Sequence, residues 1–206
     1  MNIPCKLCEK RRARRQCPGV DGEICPQCCG SQREITIDCP ASCEYLKEAR
    51  FHEQPPAIAE DQLPNKDVRL SEKFLRDAEP LVFTLAVALK RAMESGGAVD
   101  FDAREALDAE IQTYRTRQSG LIYDTRAPNP YAAAIQQKLR EAVEAFRKEE
   151  AEQRGMHIIR DADVLGVLVF LQRLEMRYNN GRRRGRAFRD FLAGYLPEAA
   201  APTVLV

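Results

Sequence analysis

All eight cysteines of this chain lie between Cys5 and Cys43, and none follows in the remainder of its 206 residues. They are also regularly spaced. "CKLC" sets Cys5 and Cys8 as a C-x2-C pair, "CPQC" does the same for Cys25 and Cys28, and "CPASC" places Cys39 and Cys43 as C-x3-C. Eight thiols so close together must share bonds, either to one another or to metal. The apolar run of an export signal is missing from "MNIPCKLCEKRR", and no apolar run approaches the ~20 residues that span a bilayer. The chain therefore reads as cytoplasmic, without membrane contact, in a compartment where thiols stay reduced. Clustered thiols there hold metal.

A C-x2-C turn converges two thiolates on one ion, and two such turns complete the tetrahedral four-sulfur site that zinc prefers in structural positions. Cys5, Cys8, Cys25 and Cys28 make the first set; Cys17, Cys29, Cys39 and Cys43 make a second, with no thiol left over. Two zinc ions per chain are expected. Adjacent side chains point apart, so the doublet Cys28–Cys29 is explained if each sulfur serves a different ion. Cys25 to Cys29 is also a C-x3-C spacing, which leaves Cys28 and Cys29 interchangeable between sites. His52, nine positions beyond Cys43, is an alternative to one thiolate of the second. The sets interleave, since Cys17 falls inside the loop closed by the first. Metal binding would supply much of the folding energy of a module of roughly 50 residues, too small to be stabilised by burial alone.

"CKLC", "RRQCP", "ICPQCC" and "CPASC" followed by a helix resemble the cross-braced binuclear zinc fingers of the HIT, MYND and B-box types, of treble-clef character. The resemblance covers about residues 5–53, with the family's second cysteine pair represented by Cys17 alone. It implies two zinc ions and a role in protein–protein contact.

The rest of the chain divides by pattern. Residues 1–53 form the cysteine module, ending in a helix-like run with Tyr45, Leu46 and Ala49 on one side and Pro55–Pro56 as its stop. Residues 54–70, with three prolines and little periodicity, read as a linker. Residues 71–197 read as an all-helical domain, and 198–206 as a tail. Ser71 and Asn129 are N-cap candidates, Pro130 suits a first helical position, and Gly96–Gly97 and Asn180–Gly181 are stops. Pro80 should kink or divide its helix. Stripes at steps of three and four run through Ala103, Leu107, Ile111 and Tyr114, and through Tyr131, Ile135, Leu139, Ala142, Val143 and Phe146. Val164 to Leu171 is apolar nearly all round and should be the central helix. A last short helix offers Phe188, Phe191, Leu192 and Tyr195. The fold class is mainly α: a small cysteine-rich binuclear zinc module followed by a five- or six-helix bundle.

Charged residues make up 31% of the chain, yet the formal net charge is only +1, which argues against a general nucleic-acid coat. Two local runs stand out. "KRRARR" carries Arg11, Arg12, Arg14 and Arg15 beside the expected sulfurs, where cations offset thiolate charge or contact phosphate. "RRRGRAFR" carries Arg182, Arg183, Arg184, Arg186 and Arg189 at a helix end, a surface turn that would engage an acidic partner or else merely solubilise a helix junction. No phosphate loop, dinucleotide-binding glycine pattern or nucleophile elbow occurs. Only two histidines, His52 and His157, are present, and His157 reads as a loop residue. Asp161 and Asp163 read as helix-start residues. The chain is thus expected to be a non-enzymatic, zinc-binding adaptor or regulator acting through a protein partner. Nucleic-acid binding through residues 10–15 and 182–189 is the alternative, and a thiol-based redox or metal sensor is the second alternative.

Overall fold

The computed structural model describes residues 3–54, 57–154 and 159–196. The expected stop at Pro55–Pro56, His157 and the tail 198–206 lie outside the described residues. The cysteine region opens with a short antiparallel hairpin of β1 (Arg15–Cys17) and β2 (Gly22–Ile24), in the register Arg15↔Ile24 and Cys17↔Gly22. Next come α1 (Pro26–Gln32) and α2 (Glu44–His52). Pro26 opens α1 because its missing N–H is no loss in the first turn. The apolar content of this region is slight. Ile24, Ile37 and Leu46 are buried among the sulfurs, with Tyr45 and Val20 packed at the edge. So few side chains cannot outweigh chain entropy, so the fold here depends on what the sulfurs do.

Among the described residues six helices follow: α3 (Glu72–Asp77), α4 (Glu79–Gly96), α5 (Asp100–Gln118), α6 (Pro130–Arg154), α7 (Asp161–Tyr178) and α8 (Ala187–Tyr195). The architecture is mainly helical, as the periodicity predicts. Ser71 caps α3 by accepting the Phe74 N–H at 3.1 Å. Asn129 caps α6 by accepting the Ala132 N–H at 2.9 Å. Pro80 divides rather than kinks: α3 ends at Asp77, and Pro80 falls in the first turn of α4, where it blocks no helical bond. Gly97 ends α4 with φ of 68°, a left-handed conformation that an added Cβ would strain.

α7 is the centre. Val164, Val167, Leu168, Val169 and Leu171 have no solvent exposure, because α5 packs along one side of it while α4 and α8 cover others. α4 and α5 in turn rest on α6. The expected stripes on α5 and α6 are buried, except that Tyr131 is 56% exposed and Ala142 and Phe146 are half-buried. Tyr131 sits in the first turn of α6, where its neighbour Ala132 is the residue turned into the core. Tyr195, at the end of α8, is exposed with its ring 4.7 Å from that of Phe191. Asp161 pairs with Arg147 at 2.5 Å, and Asp163 accepts the Arg160 N–H, so both acids serve a helix start.

The two regions touch. Residues 64–68, within the stretch read as a linker, are held by Arg173, which donates to the Asn65 carbonyl at 2.8 Å, and by Arg115, which bonds Asn65 and Asp67 at 2.7 Å each. The α7–α8 turn reaches the cysteine region directly. Arg182 pairs with Glu53 at 3.0 Å, Arg186 with Asp38 at 2.5 Å, and the Arg184 N–H donates to the Glu34 carbonyl at 2.7 Å.

Candidate metal centre

Four sulfurs meet at one point. One ligand atom from each of Cys5, Cys8, Cys25 and Cys28 lies within 4.8 Å of all the others. Local structure explains the convergence. Cys5 donates its N–H to the Arg11 carbonyl at 2.8 Å, Lys6 donates to the Glu23 carbonyl at 2.9 Å, and the chain turns back at Glu9 with φ of 56°. This clamps the first pair beside the end of β2. Cys25 then serves as the N-cap of α1, its sulfur accepting the Cys28 N–H at 3.4 Å, while the Cys25 N–H donates to the Cys5 sulfur at 3.2 Å. The N–H groups that a helix start leaves without helical partners are thus turned on sulfur.

The two sulfurs of the doublet part company on α1. Cys28 and Cys29 occupy consecutive helical positions, about 100° apart around the axis. Cys28 faces the four-sulfur cluster, while Cys29 faces Arg15, whose Nη1 lies 3.2 Å from its sulfur. Cys17, Cys29, Cys39 and Cys43 share the same small core, where burial above all pushes the Cys39 thiol up. Among the described residues, only the first set closes to 4.8 Å. His52 is exposed at the end of α2, its ring edge-on to Phe51 at 5.4 Å.

The electrostatics of the cluster favour a cation. The Cys25 thiol is brought down to about 6, first by the Cys28 N–H and then, against burial, by the Arg11 guanidinium. Cys8 is lowered as well, chiefly by the N–H groups of Lys10 and Arg11. Cys28 behaves oppositely. Arg11 pulls it down, but burial together with Cys25, Cys8 and Cys5 outweighs that and holds it up at about 11. Four crowded thiols cannot all ionise beside one another, so negative charge gathers on some while others keep protons. A divalent ion in their midst replaces those protons and lets every sulfur bind as thiolate. Four sulfurs with tetrahedral capacity, N–H donors and an arginine alongside suit zinc.

The first basic run splits by strand alternation. Arg11 donates Nε–H to Cys25 at 3.3 Å and Nη2–H to Cys28 at 3.5 Å. Arg15 turns to Cys29 and also lies 4.3 Å over the Tyr45 ring. Between them Ala13 is buried, whereas Arg12 and Arg14 are exposed and bonded through their backbones, to Pro4 and Ile24, with no side-chain partner among the described residues. In the second run, Arg182, Arg184 and Arg186 pair with Glu53 and Asp38 of the same chain, Arg189 pairs with Asp190, and Arg183 is exposed.

The sequence reading did not single out Glu34. It is fully buried, with φ of 53°, and receives donors from both regions. Its Oε1 accepts Arg50 Nη2 at 2.5 Å and the Arg186 N–H at 3.2 Å, and its Oε2 accepts Asn180 Nδ2 at 2.8 Å. The available signal was slight: Glu34 is one of two acids, with Asp38, between two cysteines that are expected to share a metal.

No family model matches the chain, no curated protein is significantly similar to it, and no solved structure matches it significantly. The resemblance of residues 5–53 to cross-braced fingers therefore rests on cysteine spacing, and the geometry adds one cluster of four sulfurs able to hold a metal ion. No helix among the described residues is long and apolar enough to cross a membrane.

Proposed function

We propose that the chain is a zinc-stabilised interaction protein. Cys5, Cys8, Cys25 and Cys28 hold one zinc ion, and Cys17, Cys29, Cys39 and Cys43 hold a second, braced across the first as in HIT, MYND and B-box fingers. The module and its helical platform act in the cytoplasm as an adaptor or regulator that binds a protein partner. The observation that carries this reading is the first cluster, with four sulfurs within 4.8 Å of one another. A site closed by four thiolates leaves no coordination position for a substrate, which is the mark of a structural zinc rather than a catalytic one. It also opposes redox exchange, because Cys25 is 2% exposed and three further thiols compete for any bond it forms. The surface supports contact with a partner: Phe51 is 85% exposed, and Leu121, Ile122 and Tyr123 follow one another in the open.

One observation favours the nucleic-acid reading. Arg12 and Arg14, just before β1, are both exposed, and their side chains have no partner among the described residues. Against it, three arginines of the second run neutralise acids of their own chain.

The test is affinity capture with the zinc-loaded full chain, with and without nuclease, beside the Cys5→Ser/Cys25→Ser variant. The adaptor reading expects a discrete protein partner that survives nuclease and is lost with the variant. Recovery of nucleic acid alone, abolished by Arg12→Gln/Arg14→Gln, would replace it.

A further inference from the structure

The segment joining Cys29 to Cys39 has two sides. One side faces the Cys29 sulfur and the loop after Cys17. Cys29 and Cys39 bound the segment, the Arg33 guanidinium lies 3.9 Å from the Cys29 sulfur, and Gly19 of the Cys17 loop packs so closely that an added Cβ would sit 2.6 Å from the Asp38 carbonyl. The other side is gripped by the α7–α8 turn. The Arg33 carbonyl accepts Arg182 Nη1 at 3.3 Å. The Glu34 carbonyl accepts the Arg184 N–H at 2.7 Å, and its carboxylate takes Asn180 and the Arg186 N–H. Asp38, immediately before Cys39, pairs with Arg186 at 2.5 Å and Arg184 at 3.8 Å.

We infer that occupancy of Cys17, Cys29, Cys39 and Cys43 by metal is coupled to docking of the 180–186 turn on the 33–38 segment, so that the helical part reads the metal state of the module. The inference rests on the second-site reading above. Its physical basis is the condition of Glu34. A buried carboxylate on a residue in the left-handed region is stable only while every donor is in place. Those donors meet it only if the segment is held at both ends, and a metal that joins Cys29 to Cys39 does this by removing the freedom of the loop between them. Loss of that metal loosens the segment, unseats Glu34 and Asp38, and frees the backbone of the 182–186 turn, while the Arg186 guanidinium keeps its bonds to the Gly97 and Ala98 carbonyls. Coupling of this kind is reciprocal, so weakening the dock must weaken the metal site.

Two measurements on the full chain test it together: zinc stoichiometry and affinity by native mass spectrometry, and the rate at which trypsin cuts after Arg182, Arg183, Arg184 and Arg186. Wild type is expected to hold two zinc ions and resist cutting. Cys39→Ser should hold one ion and be cut about tenfold faster while its helical circular dichroism is retained. Asn180→Ala changes no residue that touches sulfur, yet should lower affinity for the second zinc about tenfold, within the usual range of coupling. A single zinc in wild type would remove the second site, and the inference with it. Two zinc ions in wild type, with Asn180→Ala binding both as tightly, would overturn the coupling alone and leave the second site standing. If Cys39→Ser does not fold, Asn180→Ala decides.

Discussion

Arg11 donates its Nε–H to the sulfur of Cys25 at 3.3 Å, and the same guanidinium reaches Cys28 at 3.5 Å. The two thiols it spans are those the cluster treats most differently, one brought down to about 6 and the other held up at about 11. Arg11 is itself held protonated more strongly than usual, first by Cys28 and then by Cys25. With one zinc ion bound, four thiolates would leave the site net negative, and Arg11 would be its counter-charge. Arg11→Met should therefore release zinc from the first set faster and lower its affinity roughly tenfold, as for other groups that support metal ligands. Competition with a chromogenic chelator reads this directly, and Arg11→Lys should restore part of the loss.

The doublet gives a sharper expectation. Cys28 and Cys29 face different ways on α1, so Cys28→Ser should empty the first site and Cys29→Ser the second. Each variant should carry one zinc, with different trypsin patterns. If Cys29→Ser keeps two zinc ions and full stability, Cys29 is a packed thiol and the second set is mistaken.

Gly19→Ala tests the packing beneath the second set. The added Cβ would lie 2.6 Å from the Asp38 carbonyl oxygen and 2.7 Å from Ile37 Cγ2, where backbone cannot yield cheaply. Overpacking of this kind costs about 1–3 kcal/mol. A lower melting temperature, with looser binding of the second zinc, is the expected result.

Much of this was legible in the chain. Ser71, Pro80, Asn129 and Gly97 act locally, through one side chain or one backbone angle, so their neighbours in sequence suffice to read them. The C-x2-C pairs were legible for the same reason. Arg182, Arg184 and Arg186 were not. As sequence they are an exposed cationic turn, and only the folded chain brings Glu53 and Asp38 to meet them. Glu34 was hidden further. Its backbone angle favours glycine, and its burial follows from a contact between segments far apart in the chain.

Asp100 makes the helical part sensitive to pH. Its carboxylate accepts the N–H groups of Phe188 at 3.0 Å and Arg189 at 3.2 Å, capping α8 from another helix. Burial nevertheless raises it to about 7, with those N–H groups and nearby Arg50 offsetting only part of the cost and Glu175 adding to it. A raised acid contributes stability while protonated and loses that contribution as pH rises through its folded value. Wild type should thus lose on the order of 2 kcal/mol from this group between pH 5.5 and 7. Asp100→Asn should flatten that slope, as urea unfolding followed by helical circular dichroism at each pH would show. An identical slope in both proteins would assign the pH dependence elsewhere.

The central claim is that the thiols divide into two fours, each holding one zinc ion. Native mass spectrometry of the full chain, purified without added metal or chelator, measures this most directly. The account expects a mass two zinc ions above the polypeptide with all eight cysteines resistant to alkylation, falling to one zinc in Cys25→Ser. Metal-free protein with freely alkylated thiols, a single zinc, or an iron chromophore would contradict it.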